Sequence, residues 1–399
     1  MTDNNARAVR LGLVGCGRVT EIRHLPALRE VPGIEVCALA DVDAARLASV
    51  GERFGVARRC GDYRELIEAG DVDAVAVCVP PRFHTEVALA ALAAGKHVMI
   101  EKPLALELAE CELLAARAAL APTLKVLVGF NLRWHRLVRE ARAIVGRGEL
   151  GEIKLVRTVL TSGVRRGADF SGWRKERETG GGALFELGVH HFDVIRFLLG
   201  DEVAEVSASS RAPDETATVA ARMRGGAQVL SAFCEGTGEN HGIEIYGARG
   251  WLRLSCYRAD GLERFDAAQY EGAFGARLRK LGQTLAQLPS MIRRSRRGGD
   301  YVASYASEWR HFADAIREDT TVEATLADGT RALEIALAAW ESAAHGRTVK
   351  LAGTERGDDG GAESRDEDTE AHTADAEGDA ADAGGRAKEA SARSLVARN

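Results

Sequence analysis

Lys102 is the residue whose setting most suggests chemistry. It stands in Gly95-Lys96-His97-Val98-Met99-Ile100-Glu101-Lys102-Pro103, where a short apolar run ends in a charged pair and is stopped by proline. Pro103 disfavours helical geometry at the residue before it, so Lys102 is presented from an extended strand end. A single lysine there is ordinarily a solvated terminator. At the carboxyl end of a strand in an open α/β sheet, however, it lies where ligands of such sheets bind. A second chemical signal is Gly15-Cys16-Gly17-Arg18-Val19-Thr20, directly after the apolar run Leu11 to Val14. Gly15 permits a tight turn, and Gly17 lets a pyrophosphate approach the backbone at the start of the next helix. Thr20 replaces the third glycine of that pattern, which loosens helix–strand packing. Asp41 closes the next apolar run, Ile34 to Ala40, at the distance expected of a residue accepting hydrogen bonds from ribose hydroxyls. It would repel a 2′-phosphate, which favours NAD over NADP; Asp43 beside it reads as a helix cap.

These residues need a sheet to hold them. Strand-like runs at Arg7–Val14, Ile34–Ala40, Ala74–Val79, Val98–Ile100 and Leu124–Gly129 alternate with helical stretches at Ala44–Phe54, Asp62–Ala69, His84–Ala94 and Leu106–Leu120. That alternation predicts a doubly wound parallel sheet. Pro80-Pro81 fixes a rigid rim where a cofactor's ribose belongs, and His84 opens the next helix on the cofactor side. After Gly129 the pattern changes to a helix, Leu137–Val145, then to alternating strands at Ile153–Thr161, Val203–Ser209, Thr216–Arg224, Gln228–Glu235, Gly242–Tyr246 and Gly250–Cys256. Turns at Gly225-Gly226, Gly238 and Gly247 read as hairpins. Helices Tyr301–Arg317 and Asp328–Ala344 follow.

The length of 399 residues allows two domains, and 46% hydrophobic with 28% charged residues describes a soluble globular chain. No apolar run is long enough for a membrane span, and Met1–Arg10 lacks a signal peptide's apolar core. Seven cysteines at 16, 37, 60, 78, 111, 234 and 256 show no metal spacing and suggest reduced thiols in a cytoplasmic protein. The net charge of −6 belongs to the tail: residues 353–399 hold 13 acidic and 6 basic residues, leaving 46 and 47 elsewhere. The tail has no aromatic residue and reads as disordered. From Arg277 to Gly299 there are seven basic residues and no acid, with an apolar stripe of Leu278, Leu281, Leu285, Leu288 and Ile292 at helical spacing. A packing face or oligomer contact is the expectation there, with Pro289 interrupting any long helix. No basic groove interleaved with aromatics points to nucleic acid.

Together, Gly12 to Gly17, Val77-Cys78-Val79-Pro80-Pro81 with His84, and Ala94 to Pro103 closely resemble the glucose–fructose oxidoreductase and inositol dehydrogenase family (Gfo/Idh/MocA). The resemblance continues through Gly129 to Trp134, Gly180 to Asp193 and the helix Asp328 to Gly346, so it covers about residues 8–352. It implies an N-terminal Rossmann domain, residues 1–129, and a C-terminal α+β domain with an open, mostly antiparallel sheet, residues 130–352, followed by the tail. It places the lysine matching Lys102 near the nicotinamide and the substrate hydroxyl. It lays the family's Asp-x-x-x-His motif on Glu186 to His190, with Glu in the place of Asp. On a helix that spacing puts both side chains on one face, where a carboxylate orients an imidazole as a general base requires.

The implied activity is transfer of a hydride between NAD(P) and a secondary hydroxyl or ketone of a sugar, sugar derivative or cyclitol. His190 would take the hydroxyl proton, Lys102 would stabilise the alkoxide, and Arg133 and Glu186 would join the substrate site. Gly15, Gly17, Arg18, Val19, Asp41, Pro80, His84, Glu101, Lys102, Trp173 and Arg174 are the candidate cofactor contacts, with no metal. The family precedent suggests a homodimer or homotetramer. Two other readings remain open: a glycosidase of the same fold that oxidises its substrate transiently with a tightly held NAD, and a non-catalytic sensor of nicotinamide or sugar.

Overall fold

The computed structural model describes residues 7–163, 179–211, 215–258, 261–268 and 299–352, with isolated helical positions between 275 and 292. Six parallel strands form the first sheet: β1 (Val9–Val14), β2 (Ile34–Ala40), β3 (Arg58–Cys60), β4 (Ala74–Val77), β5 (His97–Glu101) and β6 (Val126–Gly129). Their order is β3-β2-β1-β4-β5-β6, so the chain reverses direction across the sheet between β1 and β4. Covered on both faces, the central strands can be apolar throughout; every residue of β4 is buried.

The intervening helices are α1 (Leu25–Leu28), α2 (Ala44–Phe54), α3 (Tyr63–Ile67), α4 (His84–Ala93) and α5 (Leu108–Ala119). Local chemistry sets their ends. Asp43 caps α2 by accepting the Arg46 N–H, and Gly55, at φ 74°, ends it in the left-handed conformation that costs glycine least. Glu107 and Glu110 form a capping box at the start of α5.

The second sheet has eight strands in the order β13-β12-β11-β7-β10-β9-β8-β14. They are β7 (Ile153–Ser162), β8 (Val203–Arg211), β9 (Thr216–Met223), β10 (Gln228–Glu235), β11 (Asn240–Gly247), β12 (Gly250–Ser255), β13 (Leu262–Asp266) and β14 (Val349–Lys350). All neighbours are antiparallel except β7 and β10, which run parallel with Gln228 opposite Leu155. Burial alternates along β12 and β9, as it must where only one face is covered. The covering helices are α7 (Val189–Leu199) and α9 (Leu326–His345), and α6 (Arg136–Gly146) and α8 (Gly299–Arg317) pack nearby.

The expected fold class is what forms: a parallel Rossmann sheet followed by a mostly antiparallel one. β3, β13 and β14, of two to five residues, carry too few side chains to show a period and escaped the sequence reading. Of the basic stripe, Leu285 and Ile292 are exposed; its other members lie outside the described residues, as do the cations between Arg165 and Arg177 and the tail from Gly353. The seven cysteines are unpaired and five are buried. No described helix is long and apolar enough to cross a membrane.

Arg133 is tied into the framework of the fold. Its Nη2 lies 2.5 Å from Asp193 Oδ1 and 2.8 Å from Asp328 Oδ1, and its Nη1 donates to the Glu323 carbonyl at 2.6 Å. The guanidinium is 6% exposed, and its donors are used inside the protein, tying the segment after β6 to α7 and α9. The structure thus shows partners within the protein at the residue expected to bind substrate. Replacing one partner of a buried ion pair leaves an uncompensated charge. Arg133→Met should cost about 3–5 kcal/mol of stability in urea unfolding; unchanged stability with a raised substrate KM would return Arg133 to the binding site.

Candidate active site

At the point of reversal, Gly15 follows β1 at φ 99°, and a Cβ there would sit 2.5 Å from the Cys78 carbonyl oxygen after β4. Only glycine fits this close approach. Gly17 differs, since a Cβ on it would meet nothing within 4 Å. The protein's own packing does not call for glycine at that position, which leaves the backbone open to a close-approaching group such as a phosphate. Arg18 is exposed and Val19 half-buried at the start of the following turn. Thr20 does not loosen the packing as expected: it is fully buried and donates its hydroxyl to the Gly15 carbonyl at 2.6 Å.

The Asp41 carboxylate stands beside this turn, 6% exposed. It accepts the Cys16 N–H at 2.7 Å and the Asp43 N–H at 2.8 Å, and Arg46 approaches to 3.5 Å. Glycine turn and carboxylate thus form one unit at the sheet's switch point, with Pro80 half-buried on the rim beyond β4. These groups fit a dinucleotide: open backbone at Gly17 for phosphate and an acidic acceptor for ribose.

Lys102 lies at the carboxyl end of β5, its side chain 9% exposed. Its ammonium donates to the Glu186 carbonyl at 3.0 Å and to Glu186 Oε2 at 3.2 Å. Glu186 sits in a π-helical turn, Leu184–Gly188, that runs into α7, so the regular helical register assumed between Glu186 and His190 is not kept. Its carboxylate meets Lys102 instead of forming the expected carboxylate–imidazole pair. His190, half-exposed by area, keeps a buried Nδ1 with no hydrogen-bond partner. Burial first, and then the positive charge of Lys102, hold its pKa well below the usual imidazole range. That direction favours the neutral ring, the form able to accept a proton.

Two other candidates are struts. His84 is buried, with Nδ1 2.8 Å from the Pro103 carbonyl and Nε2 2.9 Å from that of Val79. It ties the lysine loop to the proline rim. Glu101, 7% exposed, contacts His24 through Oε1 at 2.7 Å and accepts the Lys102 N–H on Oε2 at 3.0 Å. Burial pushes its pKa up, but the His24 hydrogen bond and the Lys102 charge outweigh that and leave it below the carboxylate range. Trp173 and Arg174 lie outside the described residues.

Behind His190 lies a group the sequence did not disclose. His191 stacks on His241 with ring centroids 5.0 Å apart, and His241 meets Tyr257 and Tyr301 edge-on. Both nitrogens of His191 and His241 and the Nδ1 of His135 are buried and unpartnered among the described residues. Burial lowers the pKa of His135 to about 4 and of His191 to about 3. Glu308, on α8, has both carboxyl oxygens buried and unpartnered, and burial raises it well above the carboxylate range. Among the described residues, no group of three or more His, Cys, Asp or Glu is arranged to hold a metal ion.

A glycine turn at the switch point of a parallel sheet, with a lysine–glutamate pair and a neutral histidine beside it, defines a Rossmann-fold oxidoreductase. The chain belongs to the Gfo/Idh/MocA oxidoreductase family: residues 9–130 match its NAD-binding Rossmann fold and residues 142–351 its C-terminal alpha/beta domain. It is 28% identical to the myo-inositol 2-dehydrogenase of Thermotoga maritima over 86% of this chain and 98% of that one. It is similar to the crystal structure of an oxidoreductase domain protein from Kribbella flavida, with TM-score 0.74, 26% identity and 86% and 99% of the two chains covered. It shares its fold with the scyllo-inositol dehydrogenase of Lactobacillus casei solved with NAD(H) and scyllo-inositol, with TM-score 0.70, 23% identity and 86% and 99% covered.

The buried neutral histidines carry a pH signature. An imidazole whose folded pKa lies below its unfolded value of about 6.5 binds its proton more readily when unfolded. Stability is then full above about pH 6.5 and falls with pH toward the folded values of about 4 and about 3. His84, His190 and His241 shift the same way, while Glu308 and Asp193, both raised by burial, work in the opposite sense. The melting temperature should therefore drop between about pH 7 and 5, with a smaller slope in His191→Phe. A flat profile would mean that these rings are charged or solvated in the folded state.

Proposed function

We propose that this enzyme transfers a hydride between a nicotinamide dinucleotide, NAD in preference to NADP, and a secondary hydroxyl or ketone of a cyclitol, sugar or sugar derivative. The observation that carries the reading is the meeting of Lys102 from the first sheet with Glu186, four residues before His190, at 3.2 Å. Residues 1–129 would hold the nucleotide. Gly15, Gly17, Arg18 and Val19 take the pyrophosphate, Asp41 the adenosine ribose, and Pro80 forms the rim against the second ribose. The bound nicotinamide supplies a hydride acceptor and donor.

The chain's own residues handle the oxygen and the proton. A substrate hydroxyl placed between Lys102 and His190 donates to the neutral imidazole and accepts from the ammonium. As the C–H bond weakens, negative charge grows on that oxygen. The fixed ammonium stabilises it more than it stabilises the neutral alcohol, which lowers the barrier rather than merely tightening binding. Glu186 keeps the ammonium directed at the site between turnovers. The names of relatives, which include inositol 2-dehydrogenase and D-apiose dehydrogenase, support a polyhydroxylated substrate.

The test is reduction of NAD or NADP by the purified chain over a panel of cyclitols and sugars, followed by the absorbance of reduced nicotinamide. Lys102→Met should lower kcat about a hundred- to a thousandfold, and His190→Asn about a hundred- to ten-thousandfold. Asp41→Ala should raise KM for NAD and narrow its advantage over NADP. Wild-type protein that binds neither nucleotide, with none released on denaturation, would sink the reading.

A further inference from the structure

A hydrogen-bond chain runs from α8 to the backbone of Lys102. The Trp309 Nε1–H donates to His24 Nδ1 at 3.1 Å, and His24 Nε2 lies 2.7 Å from Glu101 Oε1. Glu101 Oε2 in turn accepts the Lys102 N–H at 3.0 Å. His24 and Trp309 are both fully buried. An indole nitrogen only donates, so Nδ1 of His24 must accept. A neutral imidazole carries one ring proton, which therefore sits on Nε2 and points at Glu101. A second proton on Nδ1 would face the indole hydrogen head-on between two fully buried rings.

We propose that Trp309 and His24 are positioning residues for Lys102. The indole locks His24 as the Nε2–H tautomer, and His24 thereby holds the Glu101 carboxylate that fixes the Lys102 backbone next to Glu186. This rests on the role given to Lys102 above. The groups facing His24 are Glu101 from β5, Cys78 after β4, and Tyr305, Glu308 and Trp309 from α8. Glu101 also feels His84 and Lys102. Burial opposes a protonated His24, but Cys78 and Glu101 favour it and outweigh burial; what excludes the second proton is the indole hydrogen aimed at Nδ1. Without the indole hydrogen, Nδ1 is free to take a proton. His24 then becomes a cation that competes with the Lys102 N–H for Glu101.

Trp309→Phe removes the donor and keeps an apolar ring in place. The measurement is nitrogen NMR of histidine-labelled full-length protein, with His24 assigned through His24→Gln. In the wild type, Nδ1 should report an acceptor and Nε2 a protonated nitrogen, unchanged between about pH 6 and 8, the range in which a free imidazole titrates. In Trp309→Phe the ring should titrate within that range. The proposal is overturned if wild-type His24 titrates there or carries its proton on Nδ1, or if the Trp309→Phe ring stays neutral. The wild-type spectrum decides even where the variant does not fold.

The kinetic counterpart is a kcat for Trp309→Phe that falls about tenfold from pH 8 to pH 6, the scale of a slightly misplaced catalytic group, with KM moved less. A glutamine at position 24 both accepts and donates but takes no proton. Trp309→Phe combined with His24→Gln should therefore lose this pH dependence. A purely structural Trp309 would lower the melting temperature and leave the pH profile as in the wild type, which would overturn the proposal. The NMR arm needs no substrate. Wild-type protein without turnover would thus count against the oxidoreductase reading, whereas a titrating His24 in an active wild type would count against this proposal alone.

Discussion

A lysine ammonium at the end of a buried strand needs a counter-charge, and here the counter-charge comes from the helical turn that leads into α7. Lys102 leaves β5 and finds both the carboxylate and the carbonyl of Glu186. Neither group is well placed alone. A charge with 9% of its side chain exposed loses most of its hydration, and only a partner in good geometry offsets that loss. The contact is also a positional constraint, because it closes only when β5 and the turn before α7 are in register. The end of the Rossmann sheet and the start of α7 thus meet on one ion pair, with His190 one turn further along.

Arg133 performs the same service at the back of the site. Bidentate pairing with Asp193 and contact with Asp328 hold α7 and α9 to the segment after β6. Arg196 adds to the cluster, 3.8 Å from Asp193 and 3.6 Å from Asp328. Such networks are weak arguments for net stability, since apolar residues of the same volume often do as well. They are strong arguments for uniqueness, because a planar guanidinium accepts few arrangements of two carboxylates. α7 carries His190 near one end and Asp193 and Arg196 further along, so the network sets the pitch of the helix that presents the candidate base.

The sequence carried the parallel alternation of the first sheet and the glycine turn because both are local. Alternating valine-rich runs and helices imply parallel crossovers, and Gly15, Gly17 and Asp41 lie within one such unit. Gln228–Glu235 was legible to the residue because its alternation meets clear turns at both ends. What stayed hidden depends on contacts across great separations. Nothing near residue 24 announces that its ring meets residue 309, and nothing near residue 241 announces that it stacks on residue 191. Arg133 looked like a ligand contact because a conspicuous arginine in a conspicuous motif reads the same whether its partners are substrate or Asp193. The pairing of Glu186 with His190 failed for a different reason: the spacing assumed an unbroken α-helix, and the chain there takes a π turn.

The distribution of charge in the interior follows one rule. Charges occur in pairs or clusters, as in Lys102 with Glu186, Arg133 with Asp193 and Asp328, and Arg136 with Asp300. Titratable groups without a partner are instead held neutral: His190, His191 and His241 by burial that disfavours the cation, Glu308 by burial that disfavours the anion. Burial favours the uncharged form of any such group, acid or base alike. For the proposed hydride transfer this matters most at His190. An imidazole already protonated could not take a proton from an alcohol, and an imidazole tied to a carboxylate would be a stronger but more often occupied base. Held neutral beside an ammonium, it gains a proton only at the cost of two like charges in proximity, so the proton has every reason to leave again. The same repulsion that weakens the base speeds its return to the neutral state, which is what a group that must act once per turnover requires.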